Sequence, residues 1–81
     1  MRVTVRLFAR LRDIVGASEL RRDVLAPASV TTVWDQLVTE FPALSAYAGS
    51  ISVAVNADYA RMDAPVTDGD EVAFLPPVSG G

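Results

Sequence analysis

The feature of this sequence that most limits its fold is one amphipathic helical segment that lies between segments that alternate like strands. Its apolar residues recur at helical spacing; they are Trp34, Leu37, Val38 and Phe41. Thr32 and Asp35 have the spacing of a capping box, so the helix is predicted to begin near Thr32. Pro42 follows the segment directly and predicts its end.

Alternating apolar and polar residues predict strands on both sides of this helix. The segments are "VTVRLFA" (3–9) and "ELRRDVL" (19–25) before it, and "ISVAVN" (51–56) and "EVAFL" (71–75) after it. "RLRDIVG" predicts a helical turn that ends at Gly16, "ADYARMDAPV" is irregular or a short edge strand, and "TDGD" predicts a turn. We expect an α+β domain in which a mixed sheet curls around the helix, with the first and last strands parallel neighbours.

Composition excludes several classes of function. The 81 residues suffice for one domain, and they include neither cysteine nor histidine. Disulfides, zinc sites and the usual nucleophile and base pairs are therefore excluded, and no metal site is expected. The start "MRVTVRLFAR" has no continuous apolar run, so we expect no signal peptide, no membrane partner and a cytoplasmic location.

The charges are unevenly distributed along the chain. Residues 1–22 hold six arginines and two acids, whereas residues 23–81 hold one arginine and eight acids. An acidic second half disfavours nucleic acid as a partner, because binding nucleic acid depends on clustered cations. Arg10 and Arg12 either steer the docking of a protein partner or are simply solvated.

The last residues differ in character from the rest of the chain. Pro76 and Pro77 have no backbone N–H for a sheet, so we expect a domain over 1–75 and an extended tail over 76–81. Val78 and Ser79 are short, and Gly80 and Gly81 present bare backbone that fits a channel too narrow for any Cβ atom. The alternative is a disordered end with no function.

Two apolar residues fall on strand faces that otherwise carry polar residues. Phe8 and Leu75 are out of phase with the predicted core, and parallel neighbouring strands would bring them together beside the start of the tail. We therefore expect a partner surface that includes both residues. The alternative is that they are ordinary exposed apolar residues.

Three stretches resemble a known family. "VRLFARLRDIVG" (5–16), "AVNAD" (54–58) and "TDGDEVAFLPPVSGG" (67–81) resemble the MoaD family, the small subunits of molybdopterin synthase. That family belongs with the thiamine carrier ThiS to the ubiquitin-like β-grasp sulfur carriers. The resemblance covers nearly the whole chain, and it implies a β-grasp fold with a flexible Gly-Gly tail.

The resemblance also implies a chemistry at Gly81. An E1-like adenylyltransferase of the MoeB type would use ATP to adenylate the Gly81 carboxylate, and sulfur from a sulfurtransferase or cysteine desulfurase would then give a thiocarboxylate. Inside the large subunit, MoaE, the thiocarboxylate would give its sulfur to a pyranopterin precursor. The catalytic side chains would belong to MoaE, so this chain would act as a cosubstrate that binds no cofactor. The residues expected at the partner are Phe8, Tyr59, Leu75, Pro76, Pro77, Val78 and Ser79, followed by Gly80 and Gly81.

Other functions stay open at this point. The same tail would suit a sulfur carrier for thiamine, cysteine or thiolated tRNA. A ubiquitin-like modifier would instead join its Gly81 carboxylate to lysines of other proteins, and a plain interaction module would have an inert tail. The absence of cysteine leaves no side chain that could hold a persulfide, which favours a sulfur carrier that works through its C-terminus.

Overall fold

The computed structural model describes residues 1–77, which form seven strands, two α-helices and one 3-10 helix. In chain order the elements are β1 (Arg2–Leu7), α1 (Ala9–Val15), β2 (Glu19–Asp23), β3 (Ala28–Ser29), α2 (Val30–Glu40), the 3-10 helix (Pro42–Tyr47), β4 (Ser52–Val55), β5 (Asp58–Ala60), β6 (Pro65–Val66) and β7 (Glu71–Leu75). The predicted α+β class is confirmed. Neither α-helix in this range is long and apolar enough to cross a membrane.

Five strands form one mixed sheet in the order β2-β1-β7-β4-β5. Strands β1 and β7 are parallel, as predicted, and the other neighbours in this sheet are antiparallel. Strand β5 lies at one edge, which confirms one of the two alternatives for its segment. Strands β3 and β6 pair in a separate small sheet that the sequence did not predict, because two residues are too few to show an alternating pattern.

The core lies between the inner face of the sheet and helix α2. Along β7, Val72 and Phe74 are completely buried while their neighbours are only partly buried, which is the alternation expected of a strand with one covered face. The Phe74 ring lies 5.0 Å from the Trp34 ring of α2, centroid to centroid, at an interplanar angle of 49°. Such tilted aromatic pairs contribute about 0.5–1.5 kcal/mol beyond their burial. Leu11 and Leu44 complete the core from α1 and the 3-10 helix.

Helix α2 begins earlier than the sequence predicted. Ser29, and not Thr32, is the N-cap: the Ser29 Oγ accepts a hydrogen bond from the Thr32 backbone N–H at 3.4 Å. Thr32 Oγ1 in turn accepts one from the Ser29 backbone N–H at 3.1 Å, which completes a capping box. Val30 and Val33 are buried, so the apolar stripe starts one turn before Trp34.

Strand β1 ends at Leu7, and Phe8 is the N-cap residue of α1 with extended backbone angles. The predicted strand over 3–9 was therefore too long at this end. Helix α1 ends at Gly16, as predicted: Gly16 has a φ of 84°, and its N–H donates to the Arg12 carbonyl. This left-handed cap favours glycine because other residues would be strained there.

Strand β7 ends at Leu75, directly before Pro76. The division into a domain over 1–75 and a tail over 76–81 stays a prediction, because Val78, Ser79, Gly80 and Gly81 lie outside the described residues. The predicted flexibility of the Gly-Gly tail lies outside them as well.

Candidate functional site

The outer face of the sheet, which points away from the core, carries a depression of about 300 Å³. We call it the outer-face depression. Strands β1, β4, β5 and β7 contribute to it, together with Phe8 after β1 and the turn between β4 and β5. Its lining residues are Arg6, Phe8, Ala54, Ala57, Tyr59, Glu71, Ala73 and Leu75.

Small and large side chains divide this surface into a floor and walls. Ala54 of β4 and Ala73 of β7 are direct partners in the antiparallel ladder, and their methyl groups form the floor. Phe8, Tyr59 and Leu75 are the large apolar residues around it. A floor of alanines between large side chains leaves space that an apolar group of a partner can fill.

The structure brings together Phe8 and Leu75, which were predicted from their positions in the strands, and Tyr59, which the family resemblance implied. Tyr59 is 84% exposed and Phe8 38% exposed, while Leu75 is partly buried. Leu25, which is 90% exposed, is a large apolar residue that does not line the outer-face depression. The role of the three residues in binding stays a prediction. Single exposed apolar residues are common on protein surfaces, but three that line one depression form a contiguous patch, which is typical of a binding site.

Two charged side chains flank the apolar residues. The Arg6 guanidinium carbon lies 5.7 Å from the centroid of the Phe8 ring, and Arg6 Nη1 lies 3.9 Å from Glu71 Oε2. A cation over an exposed ring contributes about 0.5–1 kcal/mol. The long, solvent-exposed ion pair adds little stability. At this surface Arg6 therefore contributes mainly through its contact with the Phe8 ring.

One turn joins the strand that carries Ala54 to the strand that carries Tyr59. Asn56 and Ala57 connect β4 to β5, and both have left-handed backbone angles, with φ of 51° and 72°. Two left-handed central residues are the geometry of a type I′ hairpin turn. The Asn56 side-chain amide donates to Asp70 Oδ1 at 3.0 Å, and the Thr67 backbone N–H donates to Asp70 Oδ2 at 2.8 Å. These two hydrogen bonds hold the pKa of Asp70 below its ordinary value of 3.8.

The other predicted site residues lie outside the outer-face depression or outside the described part of the chain. Arg10 and Arg12 are exposed on α1 and do not line the depression, so a steering role for them stays a prediction. Pro76 is partly buried and Pro77 is exposed directly after β7.

Sequence reasoning missed the floor, the flanking charges and the turn. Ala54 and Ala73 sit on the polar side of their strands, and alanine in such positions gives no signal by itself. A signal for Asn56 did exist, since Asn after an alternating run is typical of a two-residue hairpin turn. The usual second residue of that turn is glycine, and the turn was not predicted because Ala57 stands in that position.

The comparisons with known proteins agree with this architecture. The sequence profile of the ThiS family matches residues 5–81. The molybdopterin synthase sulfur carrier subunit of Escherichia coli is 37% identical over 83 residues, which cover 98% of this chain and 99% of that protein. Its counterpart in Arabidopsis thaliana is 34% identical and is covered over 82% of its length. The crystal structure of small archaeal modifier protein 1 from Haloferax volcanii superposes with a TM-score of 0.88 at 36% identity, and all of both chains is covered.

A mixed five-stranded sheet that curls around one main helix, with its first and last strands parallel, defines a ubiquitin-like β-grasp protein. Within that class the chain belongs to the ThiS family.

Proposed function

We propose that this chain is the sulfur carrier subunit of a molybdopterin synthase. The observation that carries the proposal is the likeness to proteins of that name over almost their whole length, in a family match that runs through Gly81. The outer-face depression supports it, because a carrier that holds no catalytic site of its own needs a surface by which a partner recognises it. Leu75 both lines the depression and ends β7, so a partner bound there also lies beside the start of the tail.

In this proposal the reactive group is the Gly81 carboxylate. A carboxylate is a poor electrophile, so a MoeB-like adenylyltransferase first transfers AMP from ATP to it and releases pyrophosphate. The terminal sulfur of a persulfide on a sulfurtransferase or cysteine desulfurase then attacks the acyl carbon and expels AMP. A thiol cleaves the remaining S–S bond, which releases the thiocarboxylate and leaves a disulfide on the donor. The need for ATP favours the cytoplasm as the location of this cycle.

The proposed partner for sulfur transfer is the MoaE-like large subunit, docked on the outer-face depression. The six residues after Leu75 span at most about 20 Å when fully extended. The site on the large subunit that receives the sulfur must therefore lie within about 20 Å of the depression. A contact of modest area suits a carrier that leaves its partner after each transfer.

A second function, protein modification, is favoured by the likeness to small archaeal modifier protein 1. The same activated Gly81 carboxylate would then form an amide with a lysine of another protein. The two functions share the adenylation step and differ only in the nucleophile that follows.

Reconstitution tests the proposed function. The thiocarboxylated chain is mixed with the cognate large subunit and the pyranopterin precursor, and the dithiolene product is measured, with a chain that carries one extra residue after Gly81 as the control. The extended chain is expected to fold and to give no product. If the wild-type chain gives no product, but the activated chain forms isopeptide adducts with lysate proteins, the modifier function is supported instead. Product formation only with the thiamine or tRNA thiolation machinery would assign another sulfur pathway.

A further inference from the structure

Within the described residues, Asn56 makes three hydrogen bonds to two consecutive residues, Asp70 directly before β7 and Glu71 at its start. Its backbone N–H donates to the Glu71 carbonyl at 2.8 Å, and its side-chain Oδ1 accepts from the Glu71 N–H at 2.9 Å. Its side-chain amide donates to Asp70 Oδ1 at 3.0 Å. One residue in a hairpin turn thus holds both polar groups of the Glu71 backbone and a neighbouring carboxylate.

These bonds extend the ladder between β4 and β7 by one position. The last regular pair of that ladder is Val55 with Val72, so Asn56 is the next partner of Glu71. A left-handed residue cannot continue a strand, and here its side-chain oxygen accepts the hydrogen bond that a strand carbonyl would otherwise accept. The turn is thereby fixed to β7 although Asn56 no longer has the backbone angles of a strand.

The hairpin held in this way carries one wall of the outer-face depression. Strand β5, which carries Tyr59, is a three-residue edge strand, and over residues 1–77 its only neighbour in the sheet is β4. Leu75 stands on β7, on the other side of the alanine floor. The position of Tyr59 relative to Leu75 therefore depends on the pairing of β4 with β5 and with β7. The Asn56 bonds to Asp70 and Glu71 add to this link at the turn.

We propose that Asn56 is a positioning residue for partner docking, which fixes the hairpin that carries Tyr59 against the strand that carries Leu75. The inference rests on the proposed function, because it takes the outer-face depression to be the surface that the large subunit binds. A surface held in its bound form before the encounter loses less conformational entropy on binding. Asn56 contributes to affinity in this way without being required to contact the partner.

The test compares Asn56→Gly with Ser29→Ala. Glycine adopts the left-handed backbone readily and removes only the two side-chain hydrogen bonds. Ser29→Ala removes the N-cap of α2, which lowers stability away from the outer-face depression. For both variants we would measure the melting temperature, the affinity for the cognate large subunit, and hydrogen exchange at the Glu71 amide.

Asn56→Gly is expected to weaken large-subunit binding by about five- to tenfold, in line with one or two lost hydrogen bonds. It should also speed exchange at the Glu71 amide, whereas Ser29→Ala should leave the affinity and that amide unchanged. Unchanged affinity of Asn56→Gly, or an equal loss in Ser29→Ala, would overturn the positioning role. If the wild-type chain fails to bind the large subunit, the proposed function and the docking role both fail. Exchange at Glu71 then still shows whether Asn56 holds the hairpin.

Discussion

Ala54 and Ala73 lie directly opposite each other in the antiparallel ladder between β4 and β7. Both point away from the core, because their strand neighbours Val53 and Phe74 point into it. Because both side chains are single methyl groups, they leave space between the larger residues around them, and this space is the outer-face depression. The space lies on the face of the sheet opposite the core, so it can be filled with little change to the packing of the core.

Filling the floor should block docking and leave folding intact. In Ala73→Leu the larger side chain occupies the outer-face depression, so we expect the affinity for the cognate large subunit to fall by about tenfold or more, with little change in melting temperature. Calorimetric titration measures the affinity. Ala46→Leu, on the exposed side of the 3-10 helix, makes the same change elsewhere and should bind normally. Wild-type affinity of Ala73→Leu would show that the partner binds another surface.

Phe8 offers a second test because it is also the N-cap of α1. Aspartate is a favourable N-cap residue, and Phe8 makes no side-chain capping bond, so Phe8→Asp should keep the helix while it removes the apolar wall. We expect large-subunit binding to weaken by about 30-fold or more, as for the loss of a central apolar contact. Leu25→Asp changes a more exposed apolar residue outside the outer-face depression and should have no effect on binding. Equal effects of the two changes would refute the assignment of the surface.

The hairpin turn contains an alanine with a strained backbone, and glycine in its place should relieve the strain. Ala57 has a φ of 72°, in the left-handed region that disfavours any residue with a Cβ atom. Ala57→Gly should raise the free energy of unfolding by about 0.5–1 kcal/mol, since relief of strain exceeds the added entropy of the unfolded chain. Urea unfolding measures the change, and Ala46→Gly in the 3-10 helix should instead be destabilising. A loss of stability in Ala57→Gly would contradict this account of the turn.

Asp70 should make stability depend on pH in the acid range. Its pKa in the folded protein is lowered by hydrogen bonds from the side chain of Asn56 and the backbone of Thr67, so folding favours its ionised form. The resulting stabilisation is present above the ordinary pKa of 3.8 and is lost as the pH falls through the lower, folded value. Asp70→Asn should therefore have a lower free energy of unfolding than wild type at neutral pH. This difference in free energy should become smaller as the solution is acidified. Urea unfolding at several pH values tests this, and a difference that stays constant would exclude the carboxylate as its source.

Much of the fold could be predicted from the sequence because its strands and its main helix have one covered face each. The alternation in "EVAFL" separates buried Val72 and Phe74 from Glu71 and Leu75, and it identified Leu75 as an apolar residue on the outer face. The N-cap of α2 was misplaced because Ser29 and Thr32 are both hydroxyl residues of one capping box, and only the structure shows which precedes the first turn.

The site was harder to predict than the fold, since it depends on which strands become neighbours. Tyr59 reaches the same surface as Phe8 only because β4 and β7 lie between β5 and β1. The alanine floor and the bonds of Asn56 to β7 are contacts between segments about fifteen residues or more apart in sequence. Local periodicity carries no information on such pairs.

If Gly81 carries sulfur, the intact mass of the protein will show it. The chain is incubated with ATP, its cognate adenylyltransferase and a sulfur donor, and its mass is compared with that of a sample from which ATP is omitted. We expect replacement of one oxygen atom by one sulfur atom, located at Gly81 by fragmentation, only when ATP is present. An unchanged mass with an adenylyltransferase that is active on a known carrier would contradict it.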